Sequence, residues 1–430
     1  TEPLASRSPA GVTQPRWAFL WTTPGRILTI GVILAALGVI SAVATSTTIN
    51  ERQEALTTVL DHTEPLSFAA GQLYTKLSVA DAAAATAFIA GAEPRPVRQR
   101  YEQSITDAAL ALTRASGGLT DQPMQELLGR INANLAVYTG LIETARTNNR
   151  AGNPVGSSYL AEASALMQET ILPDAQLLYQ QTSGRVEAET TASTRMPAPV
   201  ILVLASTIVF GLFAHRWLAR RTRRRVNVGL VAGGLAIMVM VVWVGTVLAV
   251  STATSRKAQD TSADSLKTIT NLAITAQQAR ADETLSLIRR GDETVRKQSY
   301  YQRIDTMQQQ LSTYLDSNRS PERAALGDAE TLLSKWRAAD ERINAYISVG
   351  NYQAATQVAL GTGEDDSTPA FDKLEQALDE GIRASRDQLR SDIVNARRVL
   401  SGATVGGVVL SLSAALAVAL GLWPRMNEYR

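Results

Sequence analysis

The sequence has no cysteine and only two histidines, His62 and His215, which are far apart. The missing thiols exclude a disulfide scaffold, a thiolate zinc site and a cysteine nucleophile. They also leave an exported region nothing to mispair in an oxidising compartment. Two distant imidazoles exclude a multi-histidine metal centre and give a Ser-His-Asp arrangement little to work with. The chain has no Walker-type phosphate loop and no nucleophile elbow. No catalytic residue, cofactor site or metal ligand is expected, and the chain is not read as an enzyme.

Charge is absent from four long runs, 27–46, 197–214, 226–251 and 399–423. A bilayer core needs about 20 apolar residues in a helix, so each run is long enough to cross. The first also resembles a secretory signal, with "AVA" at Ala42 to Ala44, but is read here as a retained span. Four spans without an ionisable group make a poor solute path, which argues against a transporter.

What charge there is divides by segment. Residues 1–26, the loop 215–225 and the tail 424–430 hold eleven basic and two acidic residues, net +9. The two long segments, 47–196 and 252–398, hold 31 basic and 38 acidic residues, net −7, which restores the formal +2 of the whole chain. Short Arg-rich loops stay cytoplasmic. The expected topology is therefore a plasma-membrane protein with both termini and the loop inside and two segments of about 150 residues outside. Trp17, Trp21, Trp217 and Trp423 fall at the inner interface, as an aromatic belt requires. The loop "HRWLARRTRRR" carries Arg216, Arg220, Arg221, Arg223, Arg224 and Arg225. Orientation and contact with anionic lipid are its first roles. Docking of a cytosolic partner and phosphorylation of Thr222 are further readings, and nucleic acid is not an expected partner.

Both outer segments read as helix. Leu127, Ile131, Leu135 and Tyr138 form one apolar stripe; Phe371, Leu374, Leu378, Ile382, Leu389 and Ile393 form another. Breaks at 91–96, 117–123 and 149–156 cut the first segment into four helices. Breaks at 291–293, 317–322, 349–351 and 361–369 cut the second. Short similarities recur at a spacing of 198 to 200 residues: "YEQSI" at 101–105 with "YYQRI" at 300–304, and "AGN" at 151–153 with "VGN" at 349–351. The expected fold is an all-α integral membrane protein with four transmembrane helices and two extracytoplasmic up-down four-helix bundles, arranged as an internal duplication. The bundles are expected to pack on one another.

Several residues stand out as candidates. Glu93, Arg95 and Arg98 cluster at the expected tip of the first bundle, and Arg289, Arg290, Asp292 and Glu293 at the tip of the second. Charged tips steer encounters with a partner, though such runs are often simply solvated. The acidic "GEDD" at 363–366 lacks the full spacing of a calcium loop. Arg98, Arg100, Arg280 and Arg303 are available for direct capture of a small ligand if they converge. Gly229 with Gly233, and Gly402 with Gly406, have the small-xxx-small spacing that lets helices approach closely in lipid.

The span–bundle–span layout resembles the sensor half of bacterial chemoreceptors and histidine kinases, without their cytosolic signalling domains. The opening "TPGRILTIGVILAALGVISA", the two cysteine-free helical segments and the Arg-rich loop resemble the actinobacterial GlnX-type four-span signalling family. That resemblance implies a relay from an extracytoplasmic amino-acid-binding, GlnH-like lipoprotein to a cytosolic Ser/Thr protein kinase of the G type, which adjusts glutamate and 2-oxoglutarate metabolism. Two alternatives stay open: a receptor whose bundles bind a small ligand directly, and an envelope scaffold.

Overall fold

Helix dominates because segments 47–196 and 252–398 are rich in Ala, Leu, Gln, Glu and Arg, all strong helix formers. The computed structural model describes residues 23–90, 94–117, 121–194, 198–222, scattered positions of 235–253, 258–288, 293–317 and 322–427. Among these residues every regular element is helical and there is no strand. The chain divides into two units. One gathers residues 1–54, 195–253 and 396–430; the other gathers 55–194 and 254–395.

The first unit holds the apolar helices. Helix α1, Thr23–Thr58, carries the first uncharged run. Among the described residues two stretches are long and apolar enough to cross a membrane, Thr29–Ile89 and Ala198–Trp217. Most of the third expected run lies outside the described residues. The hydroxyls of Ser41 and Thr207 hydrogen-bond at 3.0 Å, joining two otherwise apolar helices.

The second unit begins where α1 passes through a π-helical turn, Val59–Thr63, into α2, Glu64–Ile89. Then come α3, Arg95–Gly117, and α4, Gln122–Arg150. Helix α5, Val155–Leu166, runs through a second π turn, Met167–Ile171, into α6, Leu172–Thr194. Helix α7, Ala198–Thr222, belongs to the first unit. A third π turn, Ala258–Ala263, opens α8, Asp264–Ile288, followed by α9, Glu293–Ser317. A short α10, Glu322–Ala325, precedes α11, Ala329–Ser348, and α12, Tyr352–Leu360. The last helix, α13, Ser367–Asn427, is 61 residues long and carries the fourth uncharged run.

The helix ends follow local chemistry. Gly152 and Gly350 have φ of 70° and 74° and close the turns after α4 and α11. Only glycine takes that conformation without a Cβ clash, and it frees the chain to release the helix. Asn351 then caps α12, its side chain accepting from the Ala354 amide at 3.1 Å. The turns sit 198 residues apart and share their bonding: Asn153 N donates to Asn148 O and Asn351 N to Tyr346 O, both at 2.9 Å.

Both expected stripes are interior. Leu127, Ile131, Leu135 and Tyr138 lie in a core with Leu73, Leu77, Met167 and Leu178. Phe371, Leu374, Leu378 and Ile382 lie in a second core with Ile304, Leu333 and Trp336. A smaller cluster of Ile343, Ala355 and Val358 joins α11 to α12. The cores interlock: Ile274 of α8 sits in the first, and Phe68 of α2 packs against the second. Gly71 permits this closeness, since a Cβ there would lie 3.3 Å from the Thr270 methyl and 3.5 Å from the Tyr179 ring.

Candidate functional site

The polar chemistry of the helical unit gathers in three places: the seam between the two bundles and one buried carboxylate centre inside each. At the seam, Glu64 is 1% exposed. A charge that deep needs partners, and α13 supplies two. Arg386 Nε donates to Glu64 Oε1 at 2.5 Å, and Arg390 Nη1 donates to Oε2 at 2.7 Å. The Arg386 guanidinium also lies 3.9 Å from the Phe68 ring centroid, a cation–π contact. Further along, Arg100 of α3 reaches Asp372 at 2.8 Å and Glu375 at 2.7 Å, both on α13. Gln277 Nε2 donates to the other Glu375 oxygen at 2.7 Å. Lys267 of α8 meets Glu187 of α6 at 2.9 Å. A cavity of about 140 Å³ lies among α2, α6, α8 and α13, lined by Glu64, Phe68, Glu187 and Lys267 among others.

Inside the first bundle, Asp81 accepts from the Tyr138 hydroxyl at 3.3 Å, Ser164 Oγ at 3.2 Å and Gln168 Nε2 at 2.9 Å. Gln168 belongs to the second π turn. Burial raises the Asp81 pKa to about 6, and the three hydrogen bonds hold it from rising further. Inside the second bundle, Glu283 is ion-paired with Arg280 and accepts from Trp336 Nε1 at 3.2 Å and from Ser367 Oγ. Arg280 also donates to Ser367 and Thr368 at 2.8 Å. Nearby Asp340 is pushed up to about 8, first by burial and then by the Glu283 charge. The Tyr300 hydroxyl is buried and has no hydrogen-bond partner among the described residues. Tyr138 and Trp336, 198 residues apart, each bring a buried ring donor to a buried carboxylate.

The sequence candidates are placed as follows. Arg95 is exposed. Arg98 pairs with Glu102 at 2.6 Å along its own helix. Glu93, Arg289, Arg290 and Asp292 lie outside the described residues, and Glu293 opens α9. Arg216 and Arg220 are exposed on α7. Arg221 and Thr222 end α7, while Arg223, Arg224 and Arg225 lie outside the described residues, as do Gly229 and Gly233. The remaining glycine pair divides in two. A Cβ on Gly406 would come within 2.8 Å of the Trp243 indole nitrogen, whereas Gly402 has nothing within 4 Å.

The four arginines considered for ligand capture do not converge. Arg98, Arg100, Arg280 and Arg303 pair with different carboxylates, the last with Asp282 at 3.2 Å. The "GEDD" loop is tied internally, Gly363 N donating to Asp366 at 2.9 Å, and externally by Lys335 to Glu364 at 3.4 Å. Among the described residues no three His, Asp or Glu side chains gather as a metal site. Sequence reasoning missed Glu64, Asp81 and Glu283, because an isolated acidic residue on a helix reads as surface.

Residues 55–191 match the family model of an actinobacterial sensor domain. The match begins in the last turn of α1 and runs nearly to the end of α6, so it takes in the first bundle whole. It includes Glu64, Asp81 and Glu187 and leaves out the second bundle. It supports a sensing or signalling role for the chain. No curated protein and no solved structure matches the sequence.

Proposed function

We propose that the chain is a four-span relay of the plasma membrane. In this reading it senses the state of an extracytoplasmic amino-acid-binding lipoprotein and passes that state to a cytosolic Ser/Thr protein kinase. The observation that carries the reading is the sensor-domain match over 55–191, directly preceded by a helix apolar enough to cross a membrane. The uncharged runs 226–251 and 399–423 supply the third and fourth spans, and the net +9 of the short segments supports an inner position for those segments. The second bundle is a copy of the first. The paired glycine turns at 152 and 350, the π turns at 59–63 and 258–263, and the ring donors Tyr138 and Trp336 support that duplication.

The lipoprotein docks at the bundle tips, around Glu93, Arg95 and Arg98 and around Arg289, Arg290, Asp292 and Glu293. The Arg-rich loop meets anionic lipid and forms part of the kinase-docking face. A ligand-dependent shift of α13 against α2 crosses the bilayer as a rigid-body movement of their apolar extensions. The chain itself carries out no catalysis.

In-cell photocrosslinking tests this reading. Crosslinkers at Ala92, Asp292 and Thr222 are compared with and without external aspartate, glutamate or glutamine. Nutrient-dependent capture of a solute-binding lipoprotein at the first two positions and of a kinase at Thr222 is the expected result. Capture that ignores nutrient state points to a scaffold. No capture at the tips, with amino-acid binding by the chain alone, points to a direct receptor.

A further inference from the structure

We propose that the cavity in the seam is a binding site for a small zwitterion of the α-amino-acid type with a neutral, apolar side chain. The inference stands apart from the lipoprotein–kinase reading, because it rests on the cavity walls alone.

The volume sets the size of the guest. A cavity of about 140 Å³ compares with an engineered cavity of about 150 Å³ that holds benzene. The body of the ligand is therefore about four to six carbon atoms. Chemistry of the walls sets its character. Phe68, Leu266, Ile382 and Leu389 line the cavity with hydrocarbon, and Ser183 and Thr270 add hydroxyls, that of Thr270 donating to the Leu266 carbonyl at 2.7 Å. An acidic or basic side chain would meet hydrocarbon there, which disfavours it.

The head group follows from the charges. Glu64 lines the cavity, but both its oxygens are held by Arg386 and Arg390. Glu187 and Lys267 line it as well, paired with each other across α6 and α8 and half-exposed at 55% and 47%. An exposed pair of this kind contributes little to stability, so it can exchange partners at small cost. A zwitterion offers an ammonium to Glu187 and a carboxylate to Lys267, replacing one ion pair by two. Asp264 lies in the same wall, which makes a plain amine the competing head group.

Two π turns flank the site. One, Val59–Thr63, ends immediately before Glu64; the other, Ala258–Ala263, ends in the cavity wall. Such turns hold one extra residue and recur at functional sites. Converting either to regular helix rotates the following chain by about 100°. A ligand wedged between α2 and α8 beside both turns is placed to bias that conversion.

The test is calorimetric titration of the full chain in lipid nanodiscs with L-leucine, isoamylamine and 4-methylpentanoate. These share a branched body and differ in head group. Saturable one-to-one binding of L-leucine is expected, with each singly charged analogue weaker by roughly tenfold or more. Lys267→Met should weaken L-leucine by about the same factor while melting like the parent, since Lys267 is half-exposed. Ser183→Leu, which fills the cavity from α6, should abolish binding. Hydrogen exchange at 59–63 and 258–263 should slow with L-leucine in the parent but not in Ser183→Leu. The proposal is overturned if L-leucine does not bind, if isoamylamine binds as well, or if both variants bind normally.

Discussion

Arg386 and Glu64 are 322 residues apart and meet at 2.5 Å, one on the last helix of the chain and one on the first helix of the opening bundle. Glu64 is 1% exposed, whereas Arg386 keeps 27% of its side chain in solvent. The carboxylate therefore carries most of the desolvation cost, and the two arginines and the Phe68 ring offset it. Neutralising Glu64 leaves Arg386 and Arg390, one turn apart on α13, without the carboxylate that both hold. Glu64→Gln is expected to destabilise the chain by about 2 kcal/mol. Arg386→Met is expected to cost less, because Arg390 remains. Denaturant midpoints for the two single variants and the double variant measure the coupling; an additive double variant would show that the clamp does not act as a unit.

Asp81 gives the first bundle a pH dependence of definite sign. Its folded pKa of about 6 lies above the ordinary value of 3.8. Between pH 4 and 6 the unfolded chain releases a proton that the folded chain keeps. Stability is therefore full below the lower value, falls as pH rises through the higher one, and stays reduced at neutrality. The loss is about 1–3 kcal/mol. Asp81→Asn removes the titration but keeps one carbonyl acceptor where Asp81 offers two oxygens, Oδ1 to Tyr138 and Oδ2 to Ser164 and Gln168. It should show a flatter stability profile than the parent between pH 4 and 6.

Much of the architecture was legible in the sequence. The stripes Leu127–Ile131–Leu135 and Phe371–Leu374–Leu378 are buried because helical spacing alone puts them on one face. The breaks at 149–156 and 349–351 are real because a left-handed position asks for glycine, and Gly152 and Gly350 provide it. The Arg98–Glu102 pair was legible as well, since a spacing of four puts the two side chains together on one helix face. The seam was not legible. Nothing local to Glu64 announces Arg386 or Arg390, and pairing across 322 residues is a property of how the helices assemble. The π turns were equally hidden, because one extra residue in a continuous helix leaves no mark on composition.

Asp340 carries a second pH dependence, in the other bundle. Burial and the nearby Glu283 charge push it up to about 8, while Asn344 donates to it at 2.7 Å and Lys297 and Tyr301 pull it down. At pH 7 the folded chain holds it protonated. The unfolded chain ionises near pH 4, so stability falls as pH rises towards 8 and then levels. Asp340→Asn should be nearly neutral at pH 5 and stabilising at pH 9. Melting curves across that range give the comparison, and infrared difference spectra should lose a protonated-carboxyl band in the variant. A profile with no inflection near 8 would remove Asp340 as its source.

Gly406 and Gly402 share one helix and one spacing, yet their surroundings separate them. At Gly406 a Cβ would meet the Trp243 indole at 2.8 to 3.0 Å, closer than side chains tolerate; at Gly402 it would meet open space. Close approach of a helix backbone to a flat ring is what a glycine in an apolar helix permits. Gly406→Leu must therefore displace Trp243 or part the two helices, at a cost of about 1–3 kcal/mol. Gly402→Leu should be accepted with little change. The comparison is made with both variants inserted in the membrane to the same level, using the fluorescence of Trp243 with the other tryptophans replaced by phenylalanine. A shift in emission for Gly406→Leu alone, together with loss of signalling output, identifies this contact as part of the transmembrane path. Equal behaviour of the two variants would leave Gly406 as one more small residue in a lipid-facing helix.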